Sequence, residues 1–253
     1  MDLGLPDRVY VVGGGSAGLG LATATVLVQE GARVVLVGRD RERLAAAVDG
    51  LGRGRAVAAP GDLADPATTA AAIERAESAF GRLDGALANV GGPPPTSPMA
   101  TTDEQWTAGF ASAFLAPVRL AREVAAHAKA AGREGAAVCF VLSTSARSPL
   151  PGLAISNGLR PGLAGHVADL AGELGPPPVP VRVTGVLPGS FATARLATTA
   201  DPAELEERAA AVPLRRIGDP LELGRVAAFL LSPAASYVTG TVVTVDGGAV
   251  RLP

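Results

Sequence analysis

The stretch Arg8-Val9-Tyr10-Val11-Val12-Gly13-Gly14-Gly15-Ser16-Ala17-Gly18-Leu19-Gly20 decides the fold of this chain. An apolar run fit for a buried strand empties directly into glycines, and an Ala-rich helical stretch follows to Glu30. Strand, glycine turn and helix in that order form a phosphate cradle. Glycines let the backbone approach an anion closely, and the helix start offers unpaired N–H groups and a positive dipole end. With its full strand–turn–helix context the run reads as a nucleotide site, beyond a turn that needs only flexibility.

The same alternation continues outward. Apolar runs over 33–37, 55–59, 83–90, 136–142, 181–187 and 241–245 read as further strands. Helical patterns cover 41–48, 67–80, 156–174 and 221–231. Thr101 or Thr102, with Glu104 or Gln105 three residues on, gives a capping box that opens a long helix toward Ala131, with Pro117 expected to kink it. Residues 190–218 read as a mobile segment carrying a short helix around 202–211. Short links between alternating strands and helices predict one α/β domain over 1–253, a three-layer doubly wound parallel sheet. In such sheets ligands bind outside the carboxyl ends of the strands. That directs attention to residues 13–20, 89–91, 143–148 and 188–193.

Bulk numbers exclude several classes of function. The 253 residues suit one well-buried domain, and 48% hydrophobic with 18% charged residues is an ordinary globular composition. A net charge of -2 gives no general attraction to nucleic acid or anionic membrane. No basic, apolar leader pattern opens the chain, and apolar stretches break well before bilayer length, so a cytoplasmic protein is expected. The single Cys139 reads as a small core residue, and two histidines, His127 and His166, give no metal site.

The glycines fit two spacings, Gly13-x-Gly15-x-x-Gly18 and Gly14-x-x-x-Gly18-x-Gly20. About twenty residues after the turn, where an acid would bind a ribose 2′-hydroxyl, stands Gly38, followed by Arg39. Glycine leaves room and arginine can pair with a 2′-phosphate, which favours NADP over NAD; the alternative is a solvated turn charge. Asp62 is placed either to meet the adenine or to cap a turn.

These pieces together resemble a short-chain dehydrogenase/reductase of Rossmann type. They are Gly14-x-x-x-Gly18-x-Gly20, Asp62-Leu63, Asn89-Val90-Gly91, Ser143, Pro188-Gly189 with Thr193, and Tyr237-Val238-Thr239-Gly240 before Asp246-Gly247-Gly248. The resemblance selects the second glycine spacing. It implies a cofactor site built from Gly14, Ser16, Gly18, Leu19, Gly20, Arg39, Asp62, Leu63, Asn89, Gly91, Pro188, Gly189 and Thr193. It further implies that 190–218 is a substrate lid and that the protein is a homo-oligomer, tetramer or dimer, acting on a small molecule. Gly13 stands where the family has threonine. At the family's catalytic tyrosine place is Ser156, at its lysine place Arg160, and at its asparagine place Ala113. Of the catalytic set only Ser143 remains.

The chain is also similar to a divergent branch of the family with a Gly-Gly-Pro-Pro-Pro loop and a Ser-Asn-x-x-Arg segment, here 91–95 and 156–160. Members are commonly labelled 3-oxoacyl-carrier-protein reductases or oxidoreductases.

Three functional expectations follow. In the first, Ser143 and Arg160 polarise a carbonyl, enone or quinone oxygen during NADP(H)-dependent reduction, and Ser156 relays a water proton. In the second, the protein binds nucleotide as a regulatory or partner subunit without catalysis. In the third, the fold serves a non-redox reaction. Pro161 raises a separate local alternative: a helix starting near Arg160 would leave Ser156 and Asn157 in the preceding loop.

Overall fold

The computed structural model describes residues 1–199 and 201–251; Ala200, inside the expected lid, and residues 252–253 of the expected domain lie outside the described residues. Seven strands form one parallel sheet in the order β3-β2-β1-β4-β5-β6-β7. They are β1 (Val9–Gly13), β2 (Arg33–Gly38), β3 (Ala56–Pro60), β4 (Gly85–Ala88), β5 (Ala137–Val141), β6 (Arg182–Pro188) and β7 (Val242–Val245). The order reverses between β1, which pairs with β2 on one side and β4 on the other. A crevice therefore opens at the carboxyl ends of β1 and β4.

Alternation along the buried strands builds two cores. Val9, Val11, Val35 and Val37 face one side and pack under α3 (Pro66–Phe80), α5 (Ala116–Ala130) and α6 (Ala154–Leu174). Tyr10, Val12, Val34 and Leu36 face the other, under α1 (Gly18–Gln29), α2 (Arg41–Leu51) and α9 (Pro220–Leu231). The three layers and the single domain are as the alternation predicts.

Two local findings differ from the sequence reading, and a third decides the alternative that Pro161 raised. The long helix opens as α4 (Asp103–Phe110) on a Thr102–Gln105 capping box, then widens into a π-turn over Ala111–Leu115 before α5. Pro117 lacks an N–H and its ring crowds the preceding turn, and the wider turn absorbs both without a break. The helix carrying Ser156 starts at Ala154, not near Arg160, so Ser156 and Asn157 are helical. Pro161 lies inside it. Asn157 stabilises this earlier start: its Nδ2 donates to the Leu150 carbonyl oxygen at 2.9 Å and its Oδ1 accepts from the Leu150 N–H at 3.0 Å. Finally, residues 190–218 carry two helices, α7 (Ala194–Thr199) and α8 (Pro202–Ala211), where one was expected.

Candidate functional site: a nucleotide cradle and an arginine-bearing wall

The cradle is built from backbone. Gly14 and Gly18 have φ of 58° and 55°, the left-handed region that glycine enters without strain. Gly20 serves closeness instead, since a Cβ there would lie 2.2 Å from the Gly14 oxygen. Gly15 is not left-handed, and a Cβ there would meet Leu36 Cδ2 and the Val12 oxygen at 3.0 Å, a looser constraint than the 2.2 Å approach at Gly20. Helix α1 begins at Gly18, and Ala17 at its N-cap supplies no side-chain acceptor. Its first-turn N–H groups face the turn with no acid among them. These residues fit a dinucleotide pyrophosphate.

Gly13 has its own explanation. A Cβ at that position would sit 2.3 Å from the Asn89 carbonyl oxygen and 2.9 Å from Leu63 Cδ1. The exit of β4 passes so close that no side chain fits. Asn89 in turn donates from Nδ2 to the Gly13 oxygen at 3.0 Å, tying the end of β4 to the end of β1. Gly91 has open space around it. Thr193 lies over the turn, its methyl carbon 3.5 Å from where a Gly18 Cβ would be. Gly189 is pressed against Asp246, 2.7 Å from the Asp246 Cβ by the same measure, which fixes the end of β6 beside β7.

At the carboxyl end of β2, Ser16 Oγ would be 3.2 Å from a Cβ at Gly38, so a longer residue at 38 would close this corner. Arg39 is 81% exposed and stands 3.8 Å from the half-exposed Asp62. That pair is loose enough for Arg39 to exchange Asp62 for another anion. Asp62 also caps its own turn, accepting from the Ala64 N–H at 2.9 Å, which is one of the two roles expected of it.

The opposite wall is made of side chains. Ser143 leaves β5 in extended conformation, and its Oγ accepts from the Ser145 N–H at 3.1 Å. It thereby caps a short turn over Thr144–Ala146. Ser145, which sequence reasoning passed over, is the direct neighbour of Ser156: their hydroxyl oxygens are 2.9 Å apart and buried. The signal that could have found it was its distance from Ser156, which only the turn after β5 reveals. Arg160, one helical turn on from Ser156, is 4% exposed. Its NH1 donates to the Val141 carbonyl oxygen at 3.0 Å, and its buried Nε has no partner. Burial, and then the like charge of Arg195, push its guanidinium down to about 10. It stays protonated at neutral pH.

Ala113, at the asparagine place, is buried in the π-turn as an apolar methyl. Neither tyrosine of the chain can substitute for the missing phenol. Tyr10 is buried in the sheet, its hydroxyl donating to the Leu231 oxygen, and Tyr237 is fully exposed. Among the described residues no group of three or more His, Cys, Asp or Glu could hold a metal ion, and no helix is long and apolar enough to cross a membrane.

Comparison with known proteins agrees with the fold. The family model described as enoyl-(acyl carrier protein) reductase matches residues 14–250. An uncharacterized oxidoreductase of Mycobacterium tuberculosis, MT0954, is 36% identical, covering 96% of this chain and 92% of its own. An NADPH-bound short chain oxidoreductase of Pseudomonas aeruginosa PAO1, described as containing an atypical catalytic center, superposes with a TM-score of 0.89 at 32% identity over 98% of each chain. A 3-ketoacyl-(acyl-carrier-protein) reductase of Brucella melitensis complexed with NADH gives a TM-score of 0.87 at 28% identity, over 97% of this chain and 99% of that one. A glycine cradle, a switch-point crevice and near-complete coverage by such relatives lead to one assignment: this chain belongs to the short-chain dehydrogenase/reductase family of NAD(P)-dependent oxidoreductases.

Proposed function

We propose that the protein is an NADP(H)-dependent reductase of a carbonyl or conjugated enone or quinone, working with Ser143, Ser145, Ser156 and Arg160. The observation that carries this reading is the buried pair Ser145–Ser156 one helical turn from a buried, protonated guanidinium. The bound nicotinamide supplies a hydride. As the hydride adds to the electrophilic carbon, the π pair moves onto the substrate oxygen. Arg160 and the serine hydroxyls donate hydrogen bonds to that developing charge. A proton from water, passed along Ser156 and Ser145, then completes the alcohol or enol.

An alkyl hydroxyl is a far weaker acid than a phenol, and an arginine holds its proton. The residues therefore suit substrates whose negative charge delocalises and which take up their proton late. Arg39, with Ser16 beside Gly38, supports NADP over NAD. The remaining cofactor contacts are proposed at Gly14, Gly18, Leu19, Gly20, Asp62, Leu63, Asn89, Gly91, Pro188, Gly189 and Thr193. Residues 190–218 serve as the substrate lid.

The lack of any phenol near Ser156 favours one second reading, a nucleotide-binding partner subunit without turnover. Deuterated NADPH offered with ketones, enones and quinones separates the two. Deuterium is expected at the carbon β to the carbonyl of enones faster than in simple ketone products, while quinone reduction, which can shed label on rearomatising, is followed by NADPH consumption. Bound NADPH with label in no product overturns the reductase reading and moves the weight to the second.

A further inference from the structure

The turn after β3 is held from another helix. Residues 61–65 run from the end of β3 at Pro60 to the start of α3 at Pro66. Local bonds shape this turn: the Gly61 N–H donates to the Gly38 oxygen at 2.9 Å, the Asp65 N–H to the Asp62 oxygen at 2.9 Å, and Asp62 Oδ1 accepts from the Ala64 N–H. None of these uses the carbonyl oxygens of Leu63 and Ala64. Pro66 has no N–H to offer them.

Arg119 serves both. It stands half-buried in the first turn of α5, directly before the core residue Leu120. Its NH1 donates to the Leu63 oxygen at 3.3 Å and to the Ala64 oxygen at 3.2 Å, and no other donor among the described residues reaches either. The π-turn over Ala111–Leu115 ends just before α5, and its wider winding sets the side of the helix on which Arg119 emerges.

What Arg119 grips is the part of the turn next to the cradle. Leu63 is buried, and its Cδ1 would lie 2.9 Å from a Cβ at Gly13. Asp62 Oδ2 is 3.8 Å from Arg39 NH1. The Leu63 N–H has no acceptor among the described residues. A carboxylate acceptor and a free N–H donor on successive residues match an adenine edge, which donates from its amine and accepts at the adjacent ring nitrogen. Fixing the two carbonyl oxygens fixes the peptide planes beside that pair.

We propose that Arg119 is a positioning residue for adenine recognition, acting through the 62–64 turn without touching the cofactor. The inference rests on the reading of Asp62 and Leu63 as cofactor contacts and concerns a residue outside that set. A turn already held by two charge-assisted hydrogen bonds has little freedom left to lose when the base arrives, whereas a loose one must be ordered at that moment.

The test titrates NADPH and its deaminated analogue, reduced nicotinamide hypoxanthine dinucleotide phosphate, into the full chain by nicotinamide fluorescence. Hypoxanthine carries an oxygen in place of the amine and a protonated nitrogen in place of the acceptor, so it reverses the pattern. The unaltered protein is expected to prefer NADPH about tenfold or more. Arg119→Met keeps the stem and removes the donors, and should shrink that ratio to about threefold or less. Arg119→Lys, whose ammonium can still serve the turn, should restore it. If Arg119→Met does not fold, Arg119→Gln carries the same expectation, because its shorter amide stops short of the turn. A merely structural role would weaken both nucleotides alike and leave the ratio where it was.

A ratio unchanged in the folded Met or Gln variant overturns the proposal, whatever Asp62→Ala does. A ratio lost in Arg119→Met but kept in Asp62→Ala removes Asp62 from the base and leaves Arg119 acting through the Leu63 N–H. Equal affinities of the unaltered protein for the two nucleotides, or binding of neither at millimolar concentration, remove the base contact and the proposal together.

Discussion

The sheet buries charge at both of its ends, and the two ends treat it differently. At the amino end, Asp84 is fully buried and fully paired. Arg82 grips it through Nε and NH2 at 2.8 and 2.6 Å, Arg8 approaches to 3.4 Å, and the Val9 N–H donates at 2.8 Å. This network pins the starts of β1 and β4 side by side. At the carboxyl end, Arg160 is buried almost as deeply, with one carbonyl oxygen for company. Asp84 is compensated by its partners, and Arg160 has no carboxylate partner among the described residues. Burial alone would not have separated them; the partners do.

The largest test of this contrast is Asp84→Ala. It strands Arg82 and the Val9 N–H, so urea unfolding should show a loss of about 3–5 kcal/mol. A loss under about 1 kcal/mol would erase the distinction between the two ends. Arg160→Met is the mirror experiment. Removing a buried charge that has no counter-ion should leave stability unchanged or raise it by about 1 kcal/mol, while kcat/KM falls by about a hundredfold. If Arg160→Met instead unfolds the protein, Arg160 is structural like Asp84. Arg39→Ala is the smallest change, because Arg39 is exposed and only loosely paired. NADPH affinity should drop about five- to tenfold by titration with NADH affinity unmoved, and equal losses would remove the 2′-phosphate role.

What could be read from sequence follows the same division. The cradle was legible because its requirements are local. Gly14 and Gly18 need left-handed backbone, Gly20 needs closeness within the same turn, and all three lie within seven residues. The sheet was legible from its apolar runs. Gly13 looked like an unexplained departure, since its reason is the Asn89 oxygen, which lies far along the chain. Ser145 was missed for the same cause: its partner Ser156 is brought near by a turn and a helix start that Asn157 anchors. The π-turn over Ala111–Leu115 has a local origin in Pro117, but proline can kink, break or widen a helix, and only packing decides which.

The tie between Asn89 and Gly13 also sets an order in time. The glycine turn precedes β4 along the chain, so it leaves the ribosome before that strand does. Its wall, however, is β4, whose pairing of Tyr10 with Gly85 joins residues far apart in sequence. Until that strand and the Asn89 amide arrive, β1 keeps an open edge and the Gly13 oxygen its free lone pairs. At translation rates of about 5–20 residues per second this wait lasts seconds. The glycine turn is therefore completed well after its own residues are made, and a nascent chain cut short before Asn89 should hold no nucleotide.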